Sequence, residues 1–354
     1  MTKEPISVVI YGAGGYGGVG LVELLHAHPG VTISALVSRE GAGEPYSKLY
    51  PHLKGRVDQV IEHAEGFDPA GRGEFVFFST PDGVGQTLAD TYLKLGYKVI
   101  DFSGDFRFND GATFKAYSAW QQGESEHLHP ELLPQSVYGC AEWNREALKS
   151  AKLVGNPGCM AISCLLATMP AVKSELVDMT RINFDVKTGI SGAGKKPNPK
   201  FHYPAADGNF YAYKVGRHQH LYEIEHFLSS WSQTKTVVNF TPHVVPSTRG
   251  ILSTCTLGLK SGVDLESIKK AYQESYCDEP FIDVEVGGVQ EISRVRGSNS
   301  CILGLNFVER THSLVVTSLI DNLQKGQSSN AVQSMNLMLG FEETTGLDSP
   351  PRYP

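Results

Sequence analysis

Long apolar runs, clustered cysteines and blocks of like charge are all missing from this sequence, and each absence excludes a class of protein. No apolar stretch approaches 18 residues, so a membrane-spanning helix is not expected. The six cysteines (Cys140, Cys159, Cys164, Cys255, Cys277 and Cys301) are scattered, without a CxxC pair or a regular framework. That excludes a disulfide scaffold and a structural zinc site and reads as reduced thiols of a cytosolic protein. The formal charge is −7, spread without a basic stripe. Nucleic acid and anionic membranes are therefore not expected as partners, and an anionic substrate would need a locally basic pocket. The opening segment MTKEPISVVIYGAGG has no basic region, apolar core and cleavage site in series, so no signal peptide is expected and the location is read as cytoplasmic.

At 354 residues the chain has room for two domains, each with its own core. Its first stretch alternates strands with helices. ISVVIYGAG reads as a buried strand entering a glycine turn, followed by helical GVGLVELLHAH. VTISALVS, EFVFFST and YKVIDFS are further strands, with helical QTLADTYLKLG between the last two. Apolar strands separated by helices imply a parallel sheet covered on both faces. After about Gly155 the character changes: TRINFDVKTGI, TVVNFTPHVV, ILSTCTLGLK, FIDVEVG, CILGLNFVE and SLVVTSLID read as longer strands, with VDLESIKKAYQESY the clearest helix among them. The expected fold class is α/β. A Rossmann-like doubly wound parallel-sheet domain spans 1–155, and an α+β catalytic domain with a mixed, largely antiparallel sheet spans 156–325. A last helix, Ser328 to Leu339 in the segment 326–354, is expected to return and pack on the first domain.

Between the first strand and the first helix stands Gly12-Ala13-Gly14-Gly15-Tyr16-Gly17-Gly18, a G-x-G-x-x-G turn. Glycines let the backbone turn tightly and approach a pyrophosphate, whose charge the helix N-terminus then meets. Where an NAD site places an acidic residue after the second strand, this chain has Ser38-Arg39. A hydroxyl beside a guanidinium suits the 2′-phosphate of NADP(H), against the alternative of a solvated loop arginine.

Gly155-Asn156-Pro157-Gly158-Cys159 runs into the apolar segment MAISCLL, so Cys159 is expected at the first turn of a helix. Unpaired N–H groups and the positive dipole end there favour a thiolate, which suits acyl transfer. The alternative is a small buried apolar residue, as expected for Cys164, Cys255 and Cys301. His218 and His220 stand two apart in a segment expected to become helical at about Glu223. On spacing alone they read as a polar surface turn; an H-x-H pair can also bind metal, but no further clustered ligand supports that.

These blocks together resemble the N-acetyl-γ-glutamyl-phosphate reductases, the arginine-biosynthesis branch of the semialdehyde-dehydrogenase superfamily. The resemblance spans nearly the whole chain: GAGGYGG at 12–18, SR at 38–39, DFSGDFRF at 101–108, GNPGC at 155–159, SGAGKKP at 191–197, HQHLYEIE at 218–225, TPHVVPSTRGILST at 241–254 and DNLQKGQSSNAVQSMNLMLG at 321–340. It implies Cys159 as nucleophile, His218 or His220 as proton carrier, and Arg107, Lys195 and Arg249 as holders of an anionic substrate. It further implies NADP(H) contacts from Gly12, Gly14, Gly15, Tyr16, Gly17, Ser38, Arg39, Thr80, Ser191, Gly192 and Asn322. The implied reaction is NADPH-dependent reduction of an acyl phosphate to an aldehyde through a thioester, in a homo-oligomer, dimer or tetramer. Three departures touch the pocket. Met160 and Ile162 stand where an aromatic residue and a threonine are usual, Tyr222-Glu223 replaces Pro-Glu, and Lys195 takes a place where arginine is common. Rival readings are an aspartate-semialdehyde dehydrogenase, the carrier-linked reductase of lysine biosynthesis, and an NADP-binding regulatory protein that has lost catalysis.

Overall fold

Two seven-stranded sheets organise the chain, one in each of two compact units: Met1–Pro157 with Gln327–Ser349, and Gly158–Gly326 with Pro350–Pro354. The computed structural model describes residues 4–121, 123 and 126–353.

In the first unit the strands are β1 (Ile6–Tyr11), β2 (Val31–Ser38), β3 (Glu62–His63), β4 (Phe75–Phe78), β5 (Lys98–Asp101), β6 (Ser136–Tyr138) and β7 (Leu153–Gly155). Every pairing is parallel, in the order β3-β2-β1-β4-β5-β7-β6. β4 is FVFF and all four side chains are fully buried, the continuous apolar run of a strand covered on both faces. The chain winds outward from β1 to β3 and then crosses back to β4. The order therefore reverses between β1 and β4, where such sheets bind ligands beyond the strand ends. Four of these strands are legible in the sequence; β3, β6 and β7 are two or three residues long, too short to show a period.

The helix Ser328–Leu339 belongs to this unit and is buried from Ser328 to Met338 although much of it is polar. Its polar groups are matched: Ser328 Oγ donates to the Gly17 carbonyl at 3.0 Å, and Asn330 Nδ2 to Gly139 O at 2.7 Å and Asn156 Oδ1 at 2.9 Å. Buried polar groups left unmatched would each cost about 1–3 kcal/mol, so this network holds the helix in one register.

The second unit contains β8 (Val177–Gly189), β9 (Tyr211–Ala212), β10 (Asn239–Val245), β11 (Ile251–Leu259), β12 (Ile282–Val286), β13 (Cys301–Val308) and β14 (Ser313–Ile320), in the order β12-β13-β14-β11-β8-β10-β9. Only β8/β10 and β12/β13 pair in parallel; the other neighbours are antiparallel. Along β8 the buried Ile182, Phe184 and Val186 alternate with exposed Arg181, Asn183 and Asp185, the pattern of a sheet with one covered face.

The covering element is the helix Cys159–Lys173, in which every residue from Met160 to Val172 is buried. It packs on β8, β11 and β14 and between the helices Gln219–Ser232 and Leu265–Tyr276. An apolar helix without a polar face is stable only when enclosed in this way. Pro170 lacks an N–H and so leaves the Leu166 carbonyl without its usual helical donor; the Tyr276 hydroxyl donates to it at 2.6 Å. Met160 and Ile162, the two departures beside the cysteine, are part of this buried wall. Among the described residues no helix is long and apolar enough to cross a membrane.

Candidate active site

In the first unit the nucleotide-binding features gather where β1 and β4 end. Gly12 follows β1 with φ +91°, and a Cβ there would land on the Ser79 carbonyl oxygen. A Cβ on Gly14 would lie 2.7 Å from Ser38 Oγ, and one on Gly17 2.6 Å from Ser79 Oγ. The turn is pinned from behind. The N–H groups of Gly12 and Ala13 donate to the Val37 carbonyl, at 2.8 and 3.1 Å. The hydroxyls of Tyr46 and Tyr50 donate to the carbonyls of Ala13 and Gly14, at 2.8 and 2.9 Å. Gly15 is the N-cap of the helix Tyr16–Leu25, whose first N–H groups have no acceptor within the helix. Ser38 is buried at the end of β2, its Oγ accepting from the Glu40 N–H at 3.1 Å, while Arg39 is exposed. Thr80 Oγ1 is buried without a hydrogen-bond partner, close to Gly12. A turn with no room for a Cβ at Gly12, Gly14 or Gly17, a helix N-terminus and an orphaned hydroxyl together fit a dinucleotide phosphate.

Arg107 lies elsewhere in this unit. It is buried, with Nε donating to the Asn156 carbonyl at 2.9 Å and Nη2 to the Phe102 carbonyl at 3.0 Å. The rest of its segment is also engaged. Asp105 accepts from the N–H groups of Gly83 and Gln86 at 2.9 and 3.1 Å and so serves the start of the helix Val84–Lys94. Burial, and then the neighbouring Asp105 charge, push the Asp101 carboxyl well above the usual carboxylate range. Asn156 is held on three sides, by the Asp101 carbonyl at 2.7 Å, the Gln327 carbonyl at 3.1 Å and the Asn330 amide at 2.9 Å.

In the second unit Cys159 is half-buried at the first position of its helix, with Gly158 as N-cap. Two side chains of the helix Gln219–Ser232 close over Gly158. A Cβ on that glycine would land on the His220 ring at Nε2 and Cδ2 and lie 2.8 Å from Glu223 Oε2. Glu223 is fully buried, and its Oε1 accepts the Gly158 N–H at 2.9 Å. Gly326 lies against Cys159 as well: a Cβ there would be 2.8 Å from Cys159 Cβ and 2.6 Å from the Asn322 carbonyl oxygen. Asn322 in turn donates from Nδ2 to Ser191 Oγ at 3.0 Å and accepts the Gly250 N–H at 2.7 Å, tying the Ser191-Gly192 turn to the segment that carries Arg249. Arg249 Nε is 3.3 Å from Asp321 Oδ2, a buried carboxylate. Lys195 is half-exposed just beyond the turn.

The two histidines have different surroundings. The helix begins at Gln219, four residues earlier than the sequence suggests, because His218 acts as its N-cap: Nδ1 accepts the His220 N–H at 3.2 Å. Histidine is outside the usual set of capping residues, which hides this start from pattern reading. An accepting Nδ1 leaves the proton of a neutral ring on Nε2, which stands 3.3 Å from the Tyr213 hydroxyl. Burial, and then the Lys214 charge, hold the His218 pKa down at about 4. Tyr213 is pushed above the usual tyrosine range by burial and then by the Cys159 charge, so its hydroxyl stays protonated beside the thiol. In the sequence Glu223 stands only as part of the HQHLYEIE block and as an expected helix start, and neither it nor Tyr213 is given a role in the site. The signal for Glu223 was present, three positions after His220 and hence on the same helix face. Tyr213 carried none.

The depressed pKa of His218 has a measurable consequence. An unfolded chain takes up this proton near pH 6.5 and the folded one only near pH 4, so stability contributed at neutral pH is lost as pH falls through that window. The expected loss is about 3 kcal/mol. His218→Asn keeps a capping acceptor and removes the titration. Denaturant unfolding at pH 4.5 and pH 7 should therefore differ less for the variant than for the parent; equal differences would remove His218 as the source.

Among the described residues, no group of three or more His, Cys, Asp or Glu gathers to hold a metal ion. Family models described as "Semialdehyde dehydrogenase, NAD binding domain" and "Semialdehyde dehydrogenase, dimerisation domain" match residues 7–151 and 159–322. The chain is 39% identical over 349 residues to an N-acetyl-gamma-glutamyl-phosphate reductase of Bacillus cereus (strain AH187), covering 98% of this chain and 100% of the relative. It is 41% identical over 351 residues to the reductase of that name from Geobacter metallireducens, covering 99% and 100%. Among solved structures, aspartate semialdehyde dehydrogenase II of Vibrio cholerae, complexed with ASA, superposes with a TM-score of 0.71 at 18% identity, over 96% of this chain and 99% of that one. Aspartate semialdehyde dehydrogenase with NADP from Candida albicans gives a TM-score of 0.71 at 14% identity, over 95% and 99%. These structural likenesses speak for the fold; the full-length sequence identities speak for the family. The chain belongs to the N-acetyl-gamma-glutamyl-phosphate reductase family of the semialdehyde dehydrogenases.

Proposed function

We propose that this chain reduces N-acetyl-γ-glutamyl phosphate to N-acetylglutamate 5-semialdehyde and phosphate, a step of arginine biosynthesis, with NADPH as reductant and a thioester on Cys159 as intermediate. The observation that carries the reading is a half-buried cysteine at a helix start, with the His220 ring over the adjacent Gly158, in a chain that matches reductases of that name along its whole length.

The Cys159 thiolate, favoured by the unpaired N–H groups of its helix start, attacks the acyl carbon. The carbon–oxygen bond to phosphate breaks, and phosphate leaves with the electron pair. When bound, the reduced nicotinamide supplies the hydride that takes the thioester to the aldehyde level. His220 gives a proton to the oxyanion of the thiohemiacetal and takes it back as the carbon–sulfur bond breaks, returning the thiolate. His220 is preferred to His218 for that task because His218 spends Nδ1 on capping the helix and faces Tyr213. Lys195 and Arg249, on the loops that Asn322 ties together, meet the anionic groups of the substrate, while Arg107 braces Asn156 in the other unit. Met160 and Ile162 remove no reacting group, which leaves the reading of a protein without catalysis unsupported. The matched dimerisation domain favours a homo-oligomer, a dimer or tetramer, and the exposed β8 side chains Arg181, Asn183 and Asp185 lie on a sheet face available for it.

The cofactor part of the reading rests on the glycine turn, the orphaned Thr80 hydroxyl and Ser38-Arg39. Purified protein given N-acetylglutamate semialdehyde, NADP and phosphate should reduce the cofactor. Activity with aspartate semialdehyde alone would assign the chain to another acyl-phosphate reductase. Arg39→Leu should raise KM for NADPH by about tenfold and leave that for NADH within about twofold. An equal rise for both cofactors would detach Arg39 from the 2′-phosphate.

A further inference from the structure

We propose that the exposed stretch 192–217 is an electrostatic funnel, whose cations Lys196, Lys200 and Arg217 draw anionic substrates of the acyl-phosphate class toward Cys159. The mechanism above gives these three residues no task. The stretch lies between β8 and the helix Gln219–Ser232; its own elements are no longer than four residues, and no residue from Gly192 to Arg217 is buried. Connections beyond about 15 residues are uncommon in compact domains and are most often functional. What this one offers is its surface, and that surface carries one sign of charge. It holds Lys195, Lys196, Lys200, Lys214 and Arg217 against a single acid, Asp207, in a chain whose net charge is −7. Several exposed lysines elsewhere stand on acids: Lys48 on Glu44, Lys94 on Asp90, Lys149 on Glu146 and Lys269 on Glu266. Among the described residues Lys196, Lys200 and Arg217 form no such pair, and Lys214 donates to the uncharged Gln219 side chain at 3.4 Å.

Both ends of the stretch are rooted in the active site. At its start Ser191 Oγ accepts from Asn322, whose carbonyl lies against Gly326 beside Cys159. At its end His218 caps the helix that holds the His220 ring over Gly158. In between it is tied to β10: the Tyr213 N–H donates to the Pro242 carbonyl at 3.0 Å and the Gly216 N–H to the Phe240 carbonyl at 3.3 Å. Charge is felt across this boundary in both directions. After burial, the Lys214 charge lowers the His218 pKa, and after burial the Cys159 charge raises that of Tyr213, which lies within the stretch. A protein of net negative charge repels a ligand that carries both a carboxylate and a phosphate. A surplus of positive charge rooted beside the cysteine reverses the field on the path to the sulfur. Such a field raises the local concentration of an anion without touching it, and salt screens it.

Lys196→Gln, Lys200→Gln and Arg217→Gln combined in one chain remove these charges and leave Lys195 and Arg249 in place. At an ionic strength of about 20 mM, kcat/KM for the acyl phosphate is expected to fall about fivefold, with kcat within about 1.5-fold of the parent. At about 500 mM the two proteins should agree within about 1.5-fold. Parental kcat/KM at low salt would overturn the proposal. So would an equal loss at both ionic strengths, which would mean direct contact with substrate. The turnover measurement rests on the reductase reading; a second one does not. Cys159 is alkylated at pH 7 by anionic iodoacetate and by neutral iodoacetamide, and both rates are followed by peptide mass. The ratio of the iodoacetate rate to the iodoacetamide rate should fall about twofold in the triple variant at low salt, the smaller effect reflecting a single charge, and stay at the parental value at high salt. A parental ratio at low salt would overturn the proposal and is the result expected if the stretch serves an acidic protein partner instead. A loss confined to the iodoacetamide rate would overturn it too, since it would report an altered pocket. A parent chain that fails to turn over the acyl phosphate while the ratio still falls in the variant would refute the substrate and leave the funnel standing.

Discussion

Cys159→Ser is expected to lower kcat by about a thousandfold or more while the chain melts within about 2 °C of its parent. The substitution changes one atom at the first position of the helix Cys159–Lys173. The N-cap bond of that helix runs from the Gly158 N–H to Glu223 and does not involve the sulfur. The buried wall from Met160 to Val172 is untouched. What changes is the nucleophile: a serine hydroxyl is scarcely ionised near neutral pH, and an ester returns its oxygen less readily than a thioester its sulfur. A thousandfold corresponds to about 4 kcal/mol of barrier. The other cysteines cannot substitute. Cys140, Cys164, Cys255 and Cys301 are buried, and the exposed Cys277 sits at the end of the helix Leu265–Tyr276. Burial also pushes the Cys255 thiol well above the usual thiol range, helped by its neighbour Cys164. Incubation with the acyl phosphate and no reductant should leave the acyl group on the Cys159 peptide of the parent and on no peptide of the variant. More than a tenth of parental kcat in Cys159→Ser would remove the thioester from the mechanism.

How far the site could be read from the sequence depends on how local each feature is. The helix start at Cys159 is written in consecutive residues, a Pro-Gly turn followed by an apolar run, and the structure begins the helix at that residue. The glycine turn is equally local, since Gly12 takes its left-handed φ just after a six-residue apolar strand. The long strands of the second unit show their alternation, whereas β9, with two residues, has none to show. The start at Gln219 was misplaced because a histidine performs a task usually given to Ser, Thr, Asp or Asn. Glu223 was passed over for a different reason. A glutamate on a helix reads as solvent-facing, and the N–H that justifies its burial is 65 residues away in the chain. Arg249 shows the converse: its motif is visible, but the Asp321 carboxylate that engages it is a long-range contact. Met160 and Ile162 look like departures in a motif, yet both are fully enclosed, where an apolar side chain of suitable volume suffices.

Gly158→Ala is expected to lower kcat by about a hundredfold and to cost about 1–3 kcal/mol of stability, from a single added methyl group. The backbone is not the obstacle, because Gly158 has φ −68° and ψ 139°, which alanine adopts freely. The obstacle is the space above the α-carbon. The new methyl would land on the His220 ring and lie 2.8 Å from Glu223 Oε2, and both side chains are buried on a helix packed against the nucleophile helix. Neither can yield without either turning the ring away or breaking the bond from Glu223 to the Gly158 N–H. Displacing His220, the proposed proton carrier, by about 1 Å is enough for the loss in rate. The two effects can be separated by removing the ring. In a His220→Ala background the methyl has room, so Gly158→Ala should cost less stability there than in the parent, and it should not restore activity. Denaturant unfolding of the four proteins in this cycle measures the coupling. An additive cycle would mean that the methyl is accommodated elsewhere and that His220 does not sit over Gly158. Recovery of activity in the double variant would mean that the ring was an obstruction and not the proton carrier.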